Sequence, residues 1–454
     1  FELFAFFNNT EEKPLDGNSY EYKPIVRAPE NRAAWQSWAK HETQSLDLLQ
    51  SLSTTSLTNA LNTIDRLNAL AKDTQVTSNQ NAHASDLIGQ YDSMQKTWTT
   101  TLVAKELPTP RVTKLLHRGE YDQPVGEPIQ PNVIRVLGAL PDDAPRNRLG
   151  LAQWLTAREN PLVARVLINR VWQRTFGAGL VRTPGDFGLQ GEQPTHPELL
   201  DWLAVELQDS GWDLKHMLRL MVTSATFRQT SAWRSDLDDP DNIWIARGPG
   251  YRLDAEVIRD TALFASDLLD RNDGGEGVRP YQPPGLWSEL MHPASNTKNY
   301  QADTGSKTYR RSLYVYWKRT SPHPMMSLFD APSRESSCVR RSRSSTPLQS
   351  LALFNENQRM EMARGLGTRL LSASANDTER LDQMFTLLAA RVPTKSETTA
   401  CATLLDTIRN RYKDSPDDAA ALIGEVATSN PIELAAWTQL AATVLASDIA
   451  ILMY

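Results

Sequence analysis

The sequence predicts a mainly α fold: a multi-helix body, an N-terminal antiparallel helical hairpin and a few short strands. Three observations carry this. Residues 30–107 contain no proline and a single glycine, Gly89, while Leu57, Leu61, Ile64, Leu67 and Leu70 recur at helical spacing. From 147 to 269, helix starts and stops alternate at short intervals. The last third repeats the same punctuation, with Thr394 and Glu397 placed as a capping box and Asn430-Pro431 as a helix start.

Taken in order, residues 1–29 read as an extended arm, with Pro14, Pro24, Pro29 and Gly17 and little apolar periodicity. Residues 30–107 form the hairpin. Its leucine-bearing helix ends at the polar run 73–81, and a second helix follows over 84–104, giving a pair of coiled-coil character. Residues 108–145 are proline-rich and read as a linker lying on the body, with a short strand at 112–116. Residues 146–454 form a helical domain. Asn160-Pro161 opens a helix that Gly177 stops, and Thr195 with Glu198 forms a capping box ahead of Leu199, Leu200, Leu203 and Leu207. Gly211 ends that helix, Asp213 caps the next, and Asp254 caps another that runs to Leu269. A Gly/Pro-rich loop over 271–310 interrupts the series. After it, Leu313, Val315 and Trp317 alternate with Tyr314, Tyr316 and Lys318 in a strand pattern. Thr346-Pro347 then opens a long helix, and further helices cover about 378–391, 394–412, 417–427 and 430 onward.

Composition bounds the rest. A chain of 454 residues buries a large core and suggests two or three domains. Its net charge of -6 and pI near 5.8 argue against nucleic acid as a partner, which calls for a basic face. No run of about 18 apolar residues is present, so no membrane-spanning segment is predicted. The 12 Trp residues, several inside polar helices, read as packing, with stacking against carbohydrate as the alternative. Cys338 and Cys401 permit one disulfide and do not require it. With no CxxCH, no phosphate-cradling glycine motif, no HExxH and no GxSxG, no cofactor is expected in this chain and no reaction is named.

One region concentrates charge and aromatic rings. Arg310, Arg311, Lys318, Arg319, Arg334, Arg340, Arg341 and Arg343 outnumber the nearby acids, chiefly Asp330 and Glu335, and Tyr281, Trp287, Tyr300, Tyr314, Tyr316 and Trp317 are interleaved with them. Guanidinium groups grip carboxylate or sulfate bidentately and stack on ring faces, so this make-up suits an anionic polysaccharide or an acidic partner. The candidate ligand-binding set is Arg310, Arg311, Lys318, Arg319 and Arg334, with Asp254, Asp260 and Asp330 and the rings of Tyr281 and Trp287. The other reading pairs these arginines with acids such as Asp254 and Asp260 as struts. Glu256 and Asp260 share a helix face, either as acid/base partners or as a salt-bridged surface with Arg259. DLDDPD at 236–241 reads as a calcium ligand set or as a turn and cap, and His117 as a hydrogen-bonded structural residue.

The stretch RNRLGLAQWLTARENPLVARVLINRVWQRTFGAGLVRTPGDFGLQGEQPTHPELLDWLAVELQDSGWDLKHMLRLMVTSATFRQT at 146–230 resembles the planctomycete surface domain family, a domain of unknown function (DUF1553). The resemblance continues in HRGEYDQP, RLDAEVIRD, RPYQPPGLWSEL, YRRSLYVYWKRTSPHPMMSLFDAPSRE and TPLQSLALFN. It implies a periplasmic or cell-surface scaffold or interaction module with other envelope proteins or domains as partners. It further implies a larger protein with a c-type haem domain upstream, and FELFAFFNNTEE resembles the tail of the preceding, DUF1549-type domain. The chain departs from the family pattern at its end, where ASDIAILMY stands in place of a polar, acidic stretch.

Overall fold

The computed structural model describes residues 1–11, 25–29, 31–51, 63–74, 76–290, 295 and 298–453, except for the side chain of Leu290. It is mainly helical, with short antiparallel strand pairs, and divides into two compact units.

The first unit comprises Phe1–Asn132 and Asn272–Glu276. Besides a single helical turn at Glu2–Ala5, within the stretch predicted as an extended arm, its helices are α1 (Arg32–Gln50), α2 (Thr63–Ala71) and α3 (Ser78–Gln95), so among the described residues the hairpin region holds three helices where the sequence predicts two. Leu57 and Leu61 lie outside the described residues. Asn31 caps α1 by accepting the Ala34 N–H at 2.9 Å, and Thr77 with Gln80 forms a capping box on α3. Leu48, Leu49, Leu67, Leu70, Ala84 and Leu87 bury a small core between them, and His41 Nε2 donates to the Leu87 carbonyl at 2.8 Å. Helix α3 ends at Gln95 instead of continuing to 104. The β-branched run Thr99-Thr100-Thr101 pairs as strand β2 (Thr99–Leu102) with β1 (Ile25–Ala28), where branching at Cβ is favourable. Strand β3 (Thr113–Leu116) falls within the predicted 112–116 and pairs with β4 (Pro124–Ile129).

The second unit comprises Val133–Arg271 and Gly277–Tyr454. Its first helices are α4 (Arg148–Thr156), α5 (Val163–Phe176), α6 (Pro197–Asp209) and α7 (Leu214–Thr223). Ile168 and Trp172 of α5 meet Leu200, Leu203 and Leu207 of α6 and Met217 and Met221 of α7 in one core cluster. Asp213 caps α7 through the Lys215 and His216 N–H groups. The Thr195–Glu198 box does not form: His196 is the N-cap residue, Pro197 takes the first helical position, and the Thr195 hydroxyl meets His196 Nδ1 at 3.0 Å. Strand β5 (Tyr251–Arg252) leads into α8 (Ala255–Ala265), which stops short of Leu269.

Beyond α8, the loop at 271–310 carries the short helix α9 (Leu286–Leu290). The predicted strand at 313–317 is replaced by a turn. Residues Ser312–Tyr314 form one 3-10 turn, and the segment touches a neighbour through a single parallel bridge, Val278 to Val315. With no second edge to pair along, the alternation instead sends Val315 into the core with Ala255, Ile258, Met326, Phe329 and Leu353. Helices α10 (Pro324–Leu328), α11 (Pro347–Asn355) and α12 (Asn357–Ala373) follow. The C-terminal core gathers α8 and α12 with α13 (Asp377–Ala389), α14 (Lys395–Asp414), α15 (Pro416–Ile423) and α16 (Pro431–Leu445) around fully buried Trp437 and Phe385. Gly367 lets α12 close on α16, since a Cβ there would sit 3.1 Å from the Thr438 nitrogen. Strand β6 (Leu452–Met453) returns to pair with β5. Cys338 and Cys401 are both free, the first exposed and the second buried.

Candidate functional site

Among the described residues, the predicted site residues make several separate local contacts. Arg310 is buried with its guanidinium 3.9 Å from the Tyr314 ring centroid, and Arg311 lies 5.6 Å from the same ring. Lys318 Nζ stands 4.1 Å over Trp287, and Arg334 4.6 Å over Trp317. Arg319 pairs with Glu335 at 3.7 Å on the surface. Asp330 binds Arg252 at 2.5 Å and also accepts the Ser344 N–H. Asp260 accepts from the Ser312 N–H and hydroxyl at 2.8 and 2.7 Å; burial nonetheless pushes its carboxyl up. The Tyr281 carbonyl accepts from His323 Nε2 at 3.0 Å. Each cation thus meets a ring or an acid close to its own segment.

Arginines do surround a hollow of about 430 Å³ elsewhere in the second unit. Its lining includes Gln173 and Arg174 at the end of α5, the turn of Gly177, Ala178 and Gly179, then Arg182, and finally Arg340, Arg341, Ser342 and Arg343 from the segment before α11. Five guanidinium groups therefore line it, with no acid among the lining residues.

Local sequence explains how these parts meet. Gly177 ends α5 with φ +89°, and a Cβ there would strike the Tyr251 ring at 2.7 Å. The turn is then clamped by fully buried Asn169, which accepts the Val181 N–H at 2.9 Å and donates to the Val181 carbonyl at 3.0 Å. Gly179 is needed for that clamp, because a Cβ would lie 2.7 Å from Asn169 Nδ2 and 2.6 Å from the Val181 carbonyl oxygen. The segment at 339–343 is tied across the turn, with Gln173 Nε2 donating to the Val339 carbonyl and Arg343 to the Gly177 carbonyl, both at 3.4 Å. The Arg343 guanidinium also lies 4.3 Å over Tyr251.

Two carboxylates behind the lining hold part of the charge. Asp254 pairs with Arg174 and lies 3.4 Å from Arg341, so its side chain serves these arginines and makes no cap hydrogen bond to α8. Glu256 accepts from Arg341 at 2.6 Å. Burial pushes the Glu256 carboxyl up, but the Arg341 hydrogen bond and charge outweigh it and hold the group below its ordinary value. Among the described residues, Arg182, Arg340 and Arg343 make no ion pair, and Arg174 and Arg341 do. The hollow thus has a cationic excess in a concave, partly enclosed place, where guanidinium groups grip carboxylate, sulfate or phosphate oxygens most effectively.

Arg340, Arg341 and Arg343 belong to the cationic run visible in the sequence. Arg174, Arg182 and the Gly-Ala-Gly turn do not, and the one local signal for them is a pair of arginines flanking GAG in RTFGAGLVR. The 236–241 run is a turn: buried Asp239 accepts the Ile243 and Trp244 N–H groups at 2.7 and 2.9 Å, and no helix follows it to be capped. No group of three or more potential metal ligands occurs among the described residues. No helix of the described residues is long and apolar enough to cross a membrane.

A family model described as PSD1, a protein of unknown function (DUF1553), matches residues 147–405. No curated protein matches the chain, and no solved structure does.

Proposed function

We propose that this chain, which belongs to the PSD1 family of proteins of unknown function (DUF1553), is an interaction module that holds an anionic polysaccharide in its arginine-lined hollow. The observation that carries the reading is the lining itself: five arginines and no acid around about 430 Å³, with two carboxylates set behind them. Arg174 and Arg341 are positioned by those carboxylates, while Arg182, Arg340 and Arg343 supply the uncompensated charge. Sugar carboxylates or sulfates are the matching groups, each hydrogen bond to a charged partner contributing about 1.5–3 kcal/mol. An envelope location and a neighbouring c-type haem domain complete this reading, with the family resemblance as their support.

The test is affinity electrophoresis through gels holding polygalacturonate, dextran sulfate or neutral dextran. The protein should be retarded by one or both anionic polymers and not by dextran, and Arg182→Ala combined with Arg340→Ala should restore free migration without lowering the melting temperature. Equal migration in all three gels would refute the reading.

A second reading, a scaffold that docks other envelope domains, is favoured by the outer face of α7. Leu214, Leu218 and Val222 recur every four residues there and are each about two-fifths exposed. Crosslinking to a neighbouring domain through cysteines placed at Leu218 would support it; its absence would leave the anion-binding role alone.

A further inference from the structure

Between the end of α7 and the start of β5, residues 224–250 form no helix or strand. A connection this long without elements of its own is uncommon in a compact unit and usually has a task. It is nonetheless tightly fastened. The Gly248 N–H donates to the Thr230 carbonyl at 2.9 Å and closes a loop, and a Cβ at Gly248 would lie 2.2 Å from the Gln229 carbonyl oxygen. Within the loop, Asp239 takes the Ile243 and Trp244 N–H groups. Asn242 Nδ2 donates to the Arg247 carbonyl at 2.9 Å, and Gln229 Nε2 to the Ile245 carbonyl at 3.1 Å.

This fastened loop is strained, and it displays a ring. Ile245 has φ +55°, a conformation that branching at Cβ makes rare, and its side chain packs against the core of α5–α7. Its neighbour Trp244 leaves 69% of its surface in solvent, although an indole has a large area to gain from burial. Among the described residues no ring or guanidinium lies flat on Trp244; His196 meets it at 6.5 Å and 78°. Trp233 differs, because Arg247 stands 4.7 Å over its ring. The loop around Trp244 is polar. Asp238 and Asp241 are exposed and, among the described residues, make no ion pair. A lone flat apolar face in a loop with unpaired carboxylates suits a pyranose ring, which is apolar across its C–H face and rimmed by hydroxyl donors. A protein partner would call for a wider apolar patch, and the carboxylates disfavour an anionic sugar residue at this point.

A short path leads from this ring to the arginine hollow. The Thr195 N–H donates to the Leu180 carbonyl at 2.9 Å; Leu180 follows Gly179 of the lining, and Thr195 precedes the histidine whose ring meets Trp244. We propose that Trp244 stacks an uncharged pyranose residue of the same polysaccharide whose anionic groups sit in the hollow, so that the preferred polymer mixes neutral with anionic residues. This rests on the polysaccharide reading and adds the kind of polymer. A stacked sugar alone binds weakly, which leaves neutral dextran unretained. Tethered to a chain that the hollow already holds, it acts at a high effective concentration.

The probe is hyaluronan, which alternates glucuronate with uncharged N-acetylglucosamine, compared with polygalacturonate, charged at every residue. Dissociation constants come from titration calorimetry on the whole chain. Trp244→Ala should weaken hyaluronan about tenfold, the worth of one stacked ring, and polygalacturonate little. Trp244→Phe, which keeps a flat ring, should recover most of the loss. The side chain is exposed, so neither variant should lower the melting temperature. No loss for hyaluronan, or an equal loss for both polymers, would overturn the proposal. So would hyaluronan failing to bind where polygalacturonate binds. In each of those cases polygalacturonate should still be lost on combining Arg182→Ala with Arg340→Ala, and the polysaccharide reading then stands. Binding of neither polymer would sink that reading and this inference together.

Discussion

Asp254 shows how a residue can be correctly placed and differently employed. Its position at the start of α8 suggests a cap, yet Arg174 and Arg341 arrive from distant segments and take the carboxylate, since a charged partner outcompetes a backbone N–H. His323 is the residue whose setting has the clearest pH consequence. Its folded pKa of about 4 lies below the ordinary 6.5. Between those values the unfolded chain binds a proton that the native chain does not. The contribution of the neutral ring is therefore complete above about pH 6.5 and is lost as the pH falls toward 4, amounting to about 3 kcal/mol at most. Denaturant unfolding from pH 7.5 to 4.5 should show a steeper acid loss in the wild type than in His323→Gln. An imidazole signal titrating near 6.5 would contradict it. Glu256 runs with the same sign at lower pH, its support present above the ordinary carboxylate value and lost below it.

Helix starts were the most legible elements. Asp213, Thr346, Thr394 and Asn430 all cap where the sequence places them, because a cap depends on three or four neighbouring residues. The alternation at 313–317 misled for the complementary reason: a strand needs a partner, and that partner is a long-range fact. The arginine hollow was half legible. Its 340–343 side stands out as charge, while its 173–182 side is ordinary until the fold lays the two together. The turn between them is the element most sensitive to change. Gly179→Ala forces a methyl onto Asn169 and the Val181 carbonyl, and should cost about 1–3 kcal/mol by overpacking. Retardation in the anionic gels should weaken with it, since Arg182 moves with the turn. A Gly179→Ala protein with unchanged melting temperature and unchanged retardation would show that the clamp is not what shapes the hollow.

At the scale of the molecule, a cationic hollow sits in a chain of net charge -6. The two act over different ranges. A long polyanion feels the repulsion of the whole protein at about 30 Å in 0.01 M salt, but only the nearby arginines once the screening length falls to about 10 Å at 0.1 M. Affinity for dextran sulfate should therefore rise and then fall as salt is added, whereas a short sulfated oligosaccharide should weaken monotonically. Titrations at 0.01, 0.1 and 0.5 M salt distinguish the two, and a monotonic fall for both would mean that net charge plays no part. The pairing of β5 with β6 adds something in time. Tyr251 and Met453 meet across about 200 residues, and Leu253, next to Asp254, bonds the Ile451 carbonyl. Local helices form early, and contacts between such distant positions close late. The carboxylate that orders the arginines is thus anchored by some of the last residues to find their place. A nascent chain still lacking 451–453 would carry the arginines without the backbone pairing that anchors their organiser.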